Sequence, residues 1–198
     1  MQKFESKEFS VPKLKGISEK TIEEHMKLYQ GYVKHTNLIL EHIEELAKDA
    51  ERYAYELGEI QRRFSFEFNG MRNHEVYFAS LEGGSKVLNE KSSLKNKIIE
   101  EFGNFDLWLN RFKSIALTRG IGWAILYWDS NSNRLLNAWV DEQHLGQLSG
   151  CTPVLALDMW EHSYVADYNP SGKKQYAEDF LENLNWEVVE ENFENATS

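Results

Sequence analysis

The 198-residue chain has little cysteine, little proline and no excess of positive charge. Its single cysteine, Cys151, excludes an internal disulfide framework and leaves the redox state of its compartment unconstrained. We expect Cys151 to be a small buried hydrophobe rather than a reactive thiol. The formal net charge of -10 argues against a protein that binds the phosphate backbone of nucleic acids, and we expect no nucleic-acid partner.

Long hydrophobic runs are also missing. No stretch approaches ~18 consecutive apolar residues, and the N-terminus has no apolar segment of the kind that signal peptides carry. We therefore expect no membrane association and, by default, a cytoplasmic location. The composition is nevertheless 41% hydrophobic and 13% aromatic. That is enough for one domain with a substantial core or for two small subdomains.

The N-terminal part carries a helical pattern. Apolar residues recur at helical spacing from Thr21 to about Leu57, and a second helical segment runs from about Gly58 to Leu81. Two long antiparallel helices are therefore predicted. The glycine pair in Glu82-Gly83-Gly84-Ser85 is the strongest break in the chain. It divides the chain into an N-terminal helical hairpin domain, residues 1–84, and a C-terminal α/β domain, residues 85–198.

The C-terminal part changes character after two shorter helices, which are predicted over residues 93–99 and 105–118. Apolar segments at 122–128 and 134–140 flank the polar stretch 129–133, which is typical of a β-hairpin. Residues 153–157 would form a third strand, and one amphipathic helix from Tyr176 to Asn192 would close the chain. The predicted fold class is α+β, with a small, mainly antiparallel three-stranded sheet in the C-terminal domain.

The segment Asp158-Met159-Trp160-Glu161-His162 follows the apolar run Pro153-Val-Leu-Ala-Leu157. A carboxylate and an imidazole four residues apart have the spacing of metal ligands. Asp offers a hard anionic oxygen, and neutral His offers a nitrogen that suits Mn, Fe or Zn. A capped strand end would produce the same pattern, so the interpretation depends on the other histidines.

Of the remaining histidines, His35 and His42 lie among polar residues on the first helix and are predicted to be surface residues. His25 lies on the same helix, and His74 lies on the second helix among aromatic neighbours. Either could be a hydrogen-bonded core histidine. Together with Asp158 and His162, however, they would complete a set of three histidines and one carboxylate, which leaves room for a solvent ligand, as a catalytic metal requires.

The sequence resembles the iron/manganese superoxide dismutase family almost from end to end. The most specific segment is Asp158-Met-Trp-Glu-His162 followed by Ser163-Tyr-Val-Ala-Asp-Tyr168 and later by Leu184-Asn-Trp186. The segment 68–78, Phe-Asn-Gly-Met-Arg-Asn-His-Glu-Val-Tyr-Phe, is similar to the second-ligand helix of the family. Gly120-Ile-Gly-Trp123 is similar to its glycine-tryptophan turn, and Thr21-Ile-Glu-Glu-His25 to its first-ligand helix.

The resemblance implies a superoxide dismutase that holds one Mn or Fe ion per subunit and converts superoxide to O₂ and H₂O₂. It implies His25, His74, Asp158 and His162 as metal ligands and Tyr32 as the tyrosine of the substrate funnel. Trp123, Trp160 and Phe78 would line the metal pocket.

The resemblance also bears on the metal and on the assembly. In the family, a glutamine hydrogen-bonds the solvent ligand, from the helix in many iron enzymes and from the hairpin in manganese enzymes. Here the helix position is Gly70, and Gln143 falls at the hairpin position, which slightly favours manganese. A one-residue slip would place His144 there instead.

Glu161 is implied to reach across a two-fold axis to His162 of the partner subunit, so a homodimer or homotetramer is expected.

Two departures from the family pattern belong together. The interval from His25 to Tyr32 is one residue shorter than usual, and Leu28 or Tyr29 stands where the family has a further histidine. Seven residues fit two regular helical turns, so a local helix irregularity is expected to be absent. The interface tyrosine that pairs with that histidine is replaced by Val165.

Two other functions are alternatives to dismutation. One is a superoxide dismutase-like scaffold without redox activity that serves as a binding module, which we would expect to have lost its ligands first. The other is a metal hydrolase or oxygenase, which needs an identifiable base. Glu161 is the one candidate base, provided that it does not lie in an interface.

Overall fold

A computed structural model describes residues 2–198. A helical hairpin is followed by four shorter helices and three strands. The principal elements are α1 (Glu19–Leu46), α2 (Ala54–Ala79), α3 (Ser93–Phe102), α4 (Phe105–Ala116), β1 (Gly122–Asp129), β2 (Arg134–Asp141), β3 (Cys151–Asp158), α5 (Lys173–Glu182) and α6 (Trp186–Thr197). Short 3-10 turns cover Ala47–Asp49, Glu161–Ser163 and Pro170–Gly172. The predicted fold class, with its helical hairpin and three-stranded antiparallel sheet, is confirmed.

The hairpin helices begin and end at different residues from those predicted. Ser18 caps α1 by accepting a hydrogen bond from the Thr21 N–H, a role that serine favours at the start of a helix. The first helix ends at Leu46 rather than near Leu57, and the chain reverses before α2 begins at Ala54. The predicted boundary at Gly58 is therefore wrong, because Gly58 lies inside α2 at an exposed position where nothing approaches it.

The sheet has the strand order β2-β1-β3, with both pairs antiparallel. The central strand, β1, is buried from Gly122 to Trp128 because it is covered on both faces. The third strand is longer than predicted, and its last residue, Asp158, pairs with Trp123 of β1. This register brings the carboxylate at the end of β3 beside an indole at the start of β1.

The C-terminal segment forms two helices, so the single helix predicted from Tyr176 to Asn192 is wrong. Asn183 ends the first of them: its Nδ2 donates to the carbonyls of Asp179, 2.7 Å, and Lys15, 2.8 Å. Asn185 caps the second by accepting from the Glu187 N–H at 3.1 Å. The break rotates the helix face, so that Val189 is buried where unbroken helical spacing would have buried Val188.

One continuous core joins both parts of the chain. The segment that connects them is hydrogen-bonded to the C-terminal helices: the Lys86 N–H donates to the Leu184 carbonyl at 3.0 Å, and the Asn185 N–H donates to the Ser80 carbonyl at 2.8 Å. The division into residues 1–84 and 85–198 stays a prediction. Cys151 is half-buried rather than buried. Within residues 2–198, no helix combines the length and the apolar character that crossing a membrane requires.

Candidate metal centre

Four elements carry the predicted metal-binding residues. His25 lies on α1 and His74 on α2, so the packing of the hairpin helices places one imidazole from each against the sheet. Asp158 is the last residue of β3, and His162 lies in the 3-10 turn Glu161–Ser163 that follows. His25 and Asp158, which are 133 positions apart in the sequence, therefore meet where β3 ends beside the start of β1.

The four side chains converge on one point. The Nε2 atoms of His25 and His162 lie 3.0 Å and 3.1 Å from Asp158 Oδ2, and Nε2 of His74 lies 3.5 Å from the same oxygen. One potential ligand atom from each residue lies within 4.8 Å of all the others. The side chains of His25, His74 and Asp158 are fully buried, whereas that of His162 is 22% exposed.

Hydrogen bonding orients the His74 ring. Its Nδ1 lies 2.6 Å from the Gly70 carbonyl oxygen, which can only accept, so Nδ1 carries the proton. In the neutral ring the lone pair is then on Nε2, which is buried and has no hydrogen-bond partner among residues 2–198. A backbone carbonyl that fixes the tautomer in this way is characteristic of metal-binding histidines.

Burial sets the charge of the site. It lowers the pKa of His74 to about 3, with His25 acting in the same direction, and it also lowers the pKa of His25, against an opposing effect of Asp158. Burial alone would raise the pKa of Asp158, but His162 and His25 outweigh it and lower that pKa. Burial therefore favours neutral rings at His25 and His74 beside an ionised Asp158, which is the protonation state that metal binding requires.

The donor set fits a Mn or Fe ion. The His74 Nε2 lone pair is aimed into a dry cluster that offers it no hydrogen, and three imidazole nitrogens surround a single carboxylate oxygen. A cation satisfies all of these atoms at once, whereas hydrogen bonds among them leave His74 unpaired. Three nitrogens and one anionic oxygen suit a mononuclear site with an open position.

A hydrogen-bonded chain lies beside this cluster. The Trp123 indole N–H donates to Gln143 Oε1 at 2.8 Å, and Gln143 Nε2 donates to Tyr32 Oη at 2.9 Å. Gln143 is fully buried, and the Tyr32 ring lies 5.0 Å from the His74 ring. Burial, followed by the charges of Asp158 and Glu67, raises the pKa of Tyr32, so its hydroxyl stays protonated.

Positions 70 and 144 are the alternatives to Gln143 in this hydrogen-bonded chain, and neither residue takes its place. A Cβ added to Gly70 would lie 2.6 Å from Cδ1 of Tyr32, because the tyrosine ring fills the space over that glycine. His144 is half-buried with its ring edge against Phe66, at a centroid distance of 5.7 Å, and its Nδ1 has no partner among the described residues. The structure thus places Gln143, not His144, in the chain that joins Trp123 to Tyr32.

Aromatic rings surround the cluster as predicted. Phe78 lies 5.0 Å from the His25 ring, and Trp123 lies 5.0 Å from the His74 ring. Trp160 stacks on His162 at 5.8 Å. Glu161 is not among the clustered ligand residues: it is exposed, and no hydrogen bond within residues 2–198 holds its carboxylate.

Three residues of this network were not predicted. Asn73 Nδ2 donates to the Gln143 carbonyl at 3.2 Å, and Gln147 Nε2 donates to Asn73 Oδ1 at 3.1 Å. Tyr127 in turn donates to Gln147 Oε1. The only sequence signal is that Asn73 precedes His74, which does not by itself indicate a hydrogen bond to a residue 70 positions away.

The two departures from the family pattern, one on α1 and one at Val165, also have structural counterparts. Residues 19–46 form an uninterrupted α-helix, as the seven-residue interval from His25 to Tyr32 predicts. Tyr29 is buried, and its hydroxyl donates to Glu75 Oε1 at 3.3 Å. Leu28 and Val165 are each 42% exposed, so both are apolar side chains at the surface of a single chain.

Comparison with known proteins agrees with this geometry. Residues 9–82 match the α-hairpin domain of iron/manganese superoxide dismutases, and residues 90–192 match their C-terminal domain. An iron superoxide dismutase of Aquifex pyrophilus is 35% identical, over 99% of this chain and 93% of its own length. An iron superoxide dismutase of Cupriavidus metallidurans is 38% identical, over 88% of this chain and 87% of its own. A manganese superoxide dismutase of Haloferax volcanii is 33% identical, over 91% of this chain and 88% of its own.

Proposed function

The chain belongs to the iron/manganese superoxide dismutase family and is a superoxide dismutase, and we propose that His25, His74, Asp158 and His162 hold its metal ion. The observation that supports this ligand set is the convergence of three imidazole nitrogens on one buried carboxylate oxygen. The Mn or Fe ion that these residues would hold would supply the one-electron redox chemistry by which superoxide is converted to O₂ and H₂O₂.

Asp158 contributes charge and the buried cluster contributes a dry environment. A carboxylate among the residues that would hold the ion would favour its higher charge, and the effect would be large because Asp158 is fully buried. Phe78, Trp123 and Trp160 keep bulk water from the histidines. Both effects would shape the redox potential of an ion bound there.

Gln143 and Tyr32 position and donate the protons that dismutation consumes. Gln143 Nε2 uses one N–H for Tyr32 Oη and has a second N–H that no residue among 2–198 accepts. Tyr32 Oη accepts from Gln143, so its own O–H is free to donate toward a reduced oxygen species in the pocket. Because the pKa of Tyr32 is raised, that proton is retained until a strongly basic acceptor arrives.

Manganese is the metal that we propose. The relatives of this chain include both iron and manganese enzymes, so family membership alone leaves the choice open. The support comes from Gly70, whose missing side chain leaves room for the Tyr32 ring, and from Gln143, which reaches the pocket from the segment after β2. This is the arrangement that resembles the manganese enzymes.

A homodimer is the assembly that we propose, alone or as half of a homotetramer. The hydrogen bonds within residues 2–198 leave Nδ1 of His162 without an acceptor, and the neighbouring Glu161 is exposed and unpaired. Glu161 of the partner subunit would accept the His162 Nδ1–H, and Leu28 and Val165 would supply apolar area to the same interface. Equilibrium sedimentation tests this. We expect a dimer or tetramer for the native chain and weakened association for Glu161→Ala. A monomeric native protein would refute the assembly.

The decisive experiment combines metal analysis with superoxide decay. Protein purified from its own source should contain one Mn per subunit, and Mn-reconstituted protein should remove superoxide faster than Fe-reconstituted protein. His74→Gln should lose the metal and the activity together, whereas His35→Gln, an exposed histidine on α1, should keep both. Stoichiometric metal in His74→Gln would exclude the proposed ligand set. The inert-scaffold alternative has no supporting observation, and the cytoplasmic location stays a prediction.

A further inference from the structure

Two charged residues on α2 lie just before the glycine that Tyr32 covers. Arg63 Nη2 and Nε donate to Oε1 of Glu67 at 2.7 Å and 2.8 Å. The Glu67 side chain is only 8% exposed, whereas that of Arg63 is 55% exposed. The pair therefore consists of a nearly buried anion and a cation that faces solvent.

Phe66 connects this pair to the metal site. The Arg63 guanidinium carbon lies 3.7 Å from the centre of the Phe66 ring, a close cation-π contact. The same ring lies 6.1 Å from the Tyr32 ring and 6.4 Å from Trp160, both of which contact histidines of the cluster. The guanidinium therefore contacts Phe66, and Phe66 is separated from the histidines of the cluster only by Tyr32 and Trp160.

The Arg63–Glu67 pair lies near Tyr32, because Phe66 contacts both the Arg63 guanidinium and the Tyr32 ring. Charges at this place act on an anion that approaches the Tyr32 hydroxyl. The substrate is such an anion, and the chain as a whole has a net charge of -10, so long-range electrostatics repel it.

We propose that Arg63 is the charge gate of this site: it neutralises the nearly buried Glu67 carboxylate, so that no unpaired anion repels superoxide on the Tyr32 side of the pocket. The proposal rests on the metal site proposed above. Arg63 does not touch the reacting atoms, so it is a positioning residue. Without it, an uncompensated buried carboxylate would lie close to the route that an anionic substrate takes.

Three variants test the gate against one matched control. Arg63→Gln removes the cation, Glu67→Gln removes the anion, and the double variant removes both. Arg62→Gln is the control, because Arg62 is the neighbouring cation, is 78% exposed and pairs with Glu59 at 3.5 Å on the helix surface. All four proteins are first checked for wild-type metal content, which separates failure of the gate from failure of the metal site.

The expected pattern follows the local charge. At low ionic strength, Arg63→Gln should lower kcat/KM about two- to fourfold, the size expected for one unit charge near a solvated entrance. Glu67→Gln should raise kcat/KM by a similar factor, and the double variant should return close to wild type. The differences should shrink as salt is added, since exposed charges are screened. Arg62→Gln should match wild type.

Azide binding supplies a readout other than turnover. Azide is a small anion whose binding to the metal-loaded enzyme can be followed by absorption, and Arg63→Gln should weaken it by the same two- to fourfold. If Arg63→Gln does not fold, Glu67→Gln should still tighten azide binding by a similar factor, because its guanidinium is unopposed. The proposal is overturned if the azide affinity of Glu67→Gln equals that of wild type, or if Arg63→Gln behaves as Arg62→Gln does.

Discussion

The close approach of Tyr32 to Gly70 makes the substitution Gly70→Ala the most informative test of the site's packing. Gly70 is buried inside α2, and a Cβ built there would lie 2.6 Å from Tyr32 Cδ1 and 2.7 Å from Cε1. Carbon atoms pack at about 3.5–4.0 Å, so the ring has to move by about 1 Å. Such a movement pulls the Tyr32 hydroxyl away from Gln143 Nε2, 2.9 Å distant.

The expected cost follows from two opposing effects. Replacing a helical glycine by alanine stabilises a helix by about 1 kcal/mol when the side chain meets nothing. Overpacking a filled site costs about 1–3 kcal/mol, and weakening the hydrogen bond to Gln143 adds about 1 kcal/mol. We therefore expect Gly70→Ala to destabilise the protein by about 1–3 kcal/mol and to lower its dismutation rate.

Gly58→Ala is the matched control, because Gly58 lies in the same helix and an added Cβ would meet nothing within 4 Å. It should stabilise the protein by about 1 kcal/mol and leave activity unchanged. Urea unfolding of both metal-free variants, with superoxide decay measured on the metal-loaded proteins, gives the comparison. If Gly70→Ala is as stable and as active as Gly58→Ala, the Tyr32 ring does not constrain this position and the argument fails.

Three further outcomes are expected. Gln143→Ala should keep its metal but show a shifted potential and reduced turnover, and a wild-type rate would remove Gln143 from the mechanism. Gln147→Met should lose about 1–2 kcal/mol in urea unfolding and part of the activity, because it removes the donors to Asn73 Oδ1 and to the Gln143 carbonyl; unchanged stability would contradict the network. The metal-free protein should be about 2 kcal/mol less stable at pH 5 than at pH 7: the pKa of His74 falls to about 3 in the folded state, so the unfolded chain binds a proton below about pH 6.5 that the folded chain does not. Urea unfolding that is flat between these pH values would show that His74 is not buried as a neutral ring.

Secondary structure was predictable where periodicity is strong and was missed where tertiary packing ends a helix. The turn between α1 and α2 contains neither glycine nor proline, so the helical pattern continued through it to Leu57. Gly58 suggested a boundary, but an exposed helical glycine costs only about 1 kcal/mol, which the rest of α2 tolerates. The break between α5 and α6 did carry a signal, since Asn183 and Asn185 are side chains that favour caps.

The candidate metal site was likewise predictable only in part from the sequence. The spacing of Asp158 and His162 is local and visible in the sequence, whereas the proximity of His25 and His74 depends on how the hairpin packs against β3. The resemblance to the family predicted that His25 and His74 lie close together. It supplied nothing about Gln147 or Arg63, whose importance comes from contacts between residues that no periodicity connects.

The relation between Tyr32, Gly70 and Gln143 explains why the amide comes from the segment after β2 and not from α2. With Tyr32 seven positions after His25 on an uninterrupted helix, the Tyr32 ring lies directly over Gly70, where an amide side chain on α2 would have to begin. The amide and the tyrosine ring therefore compete for one space. Moving the amide, in the double variant Gly70→Gln with Gln143→Ala, should give no more superoxide decay than Gln143→Ala alone. Recovery of activity above that of Gln143→Ala would mean that Tyr32 yields to the new side chain, and that the position of the amide does not depend on the tyrosine.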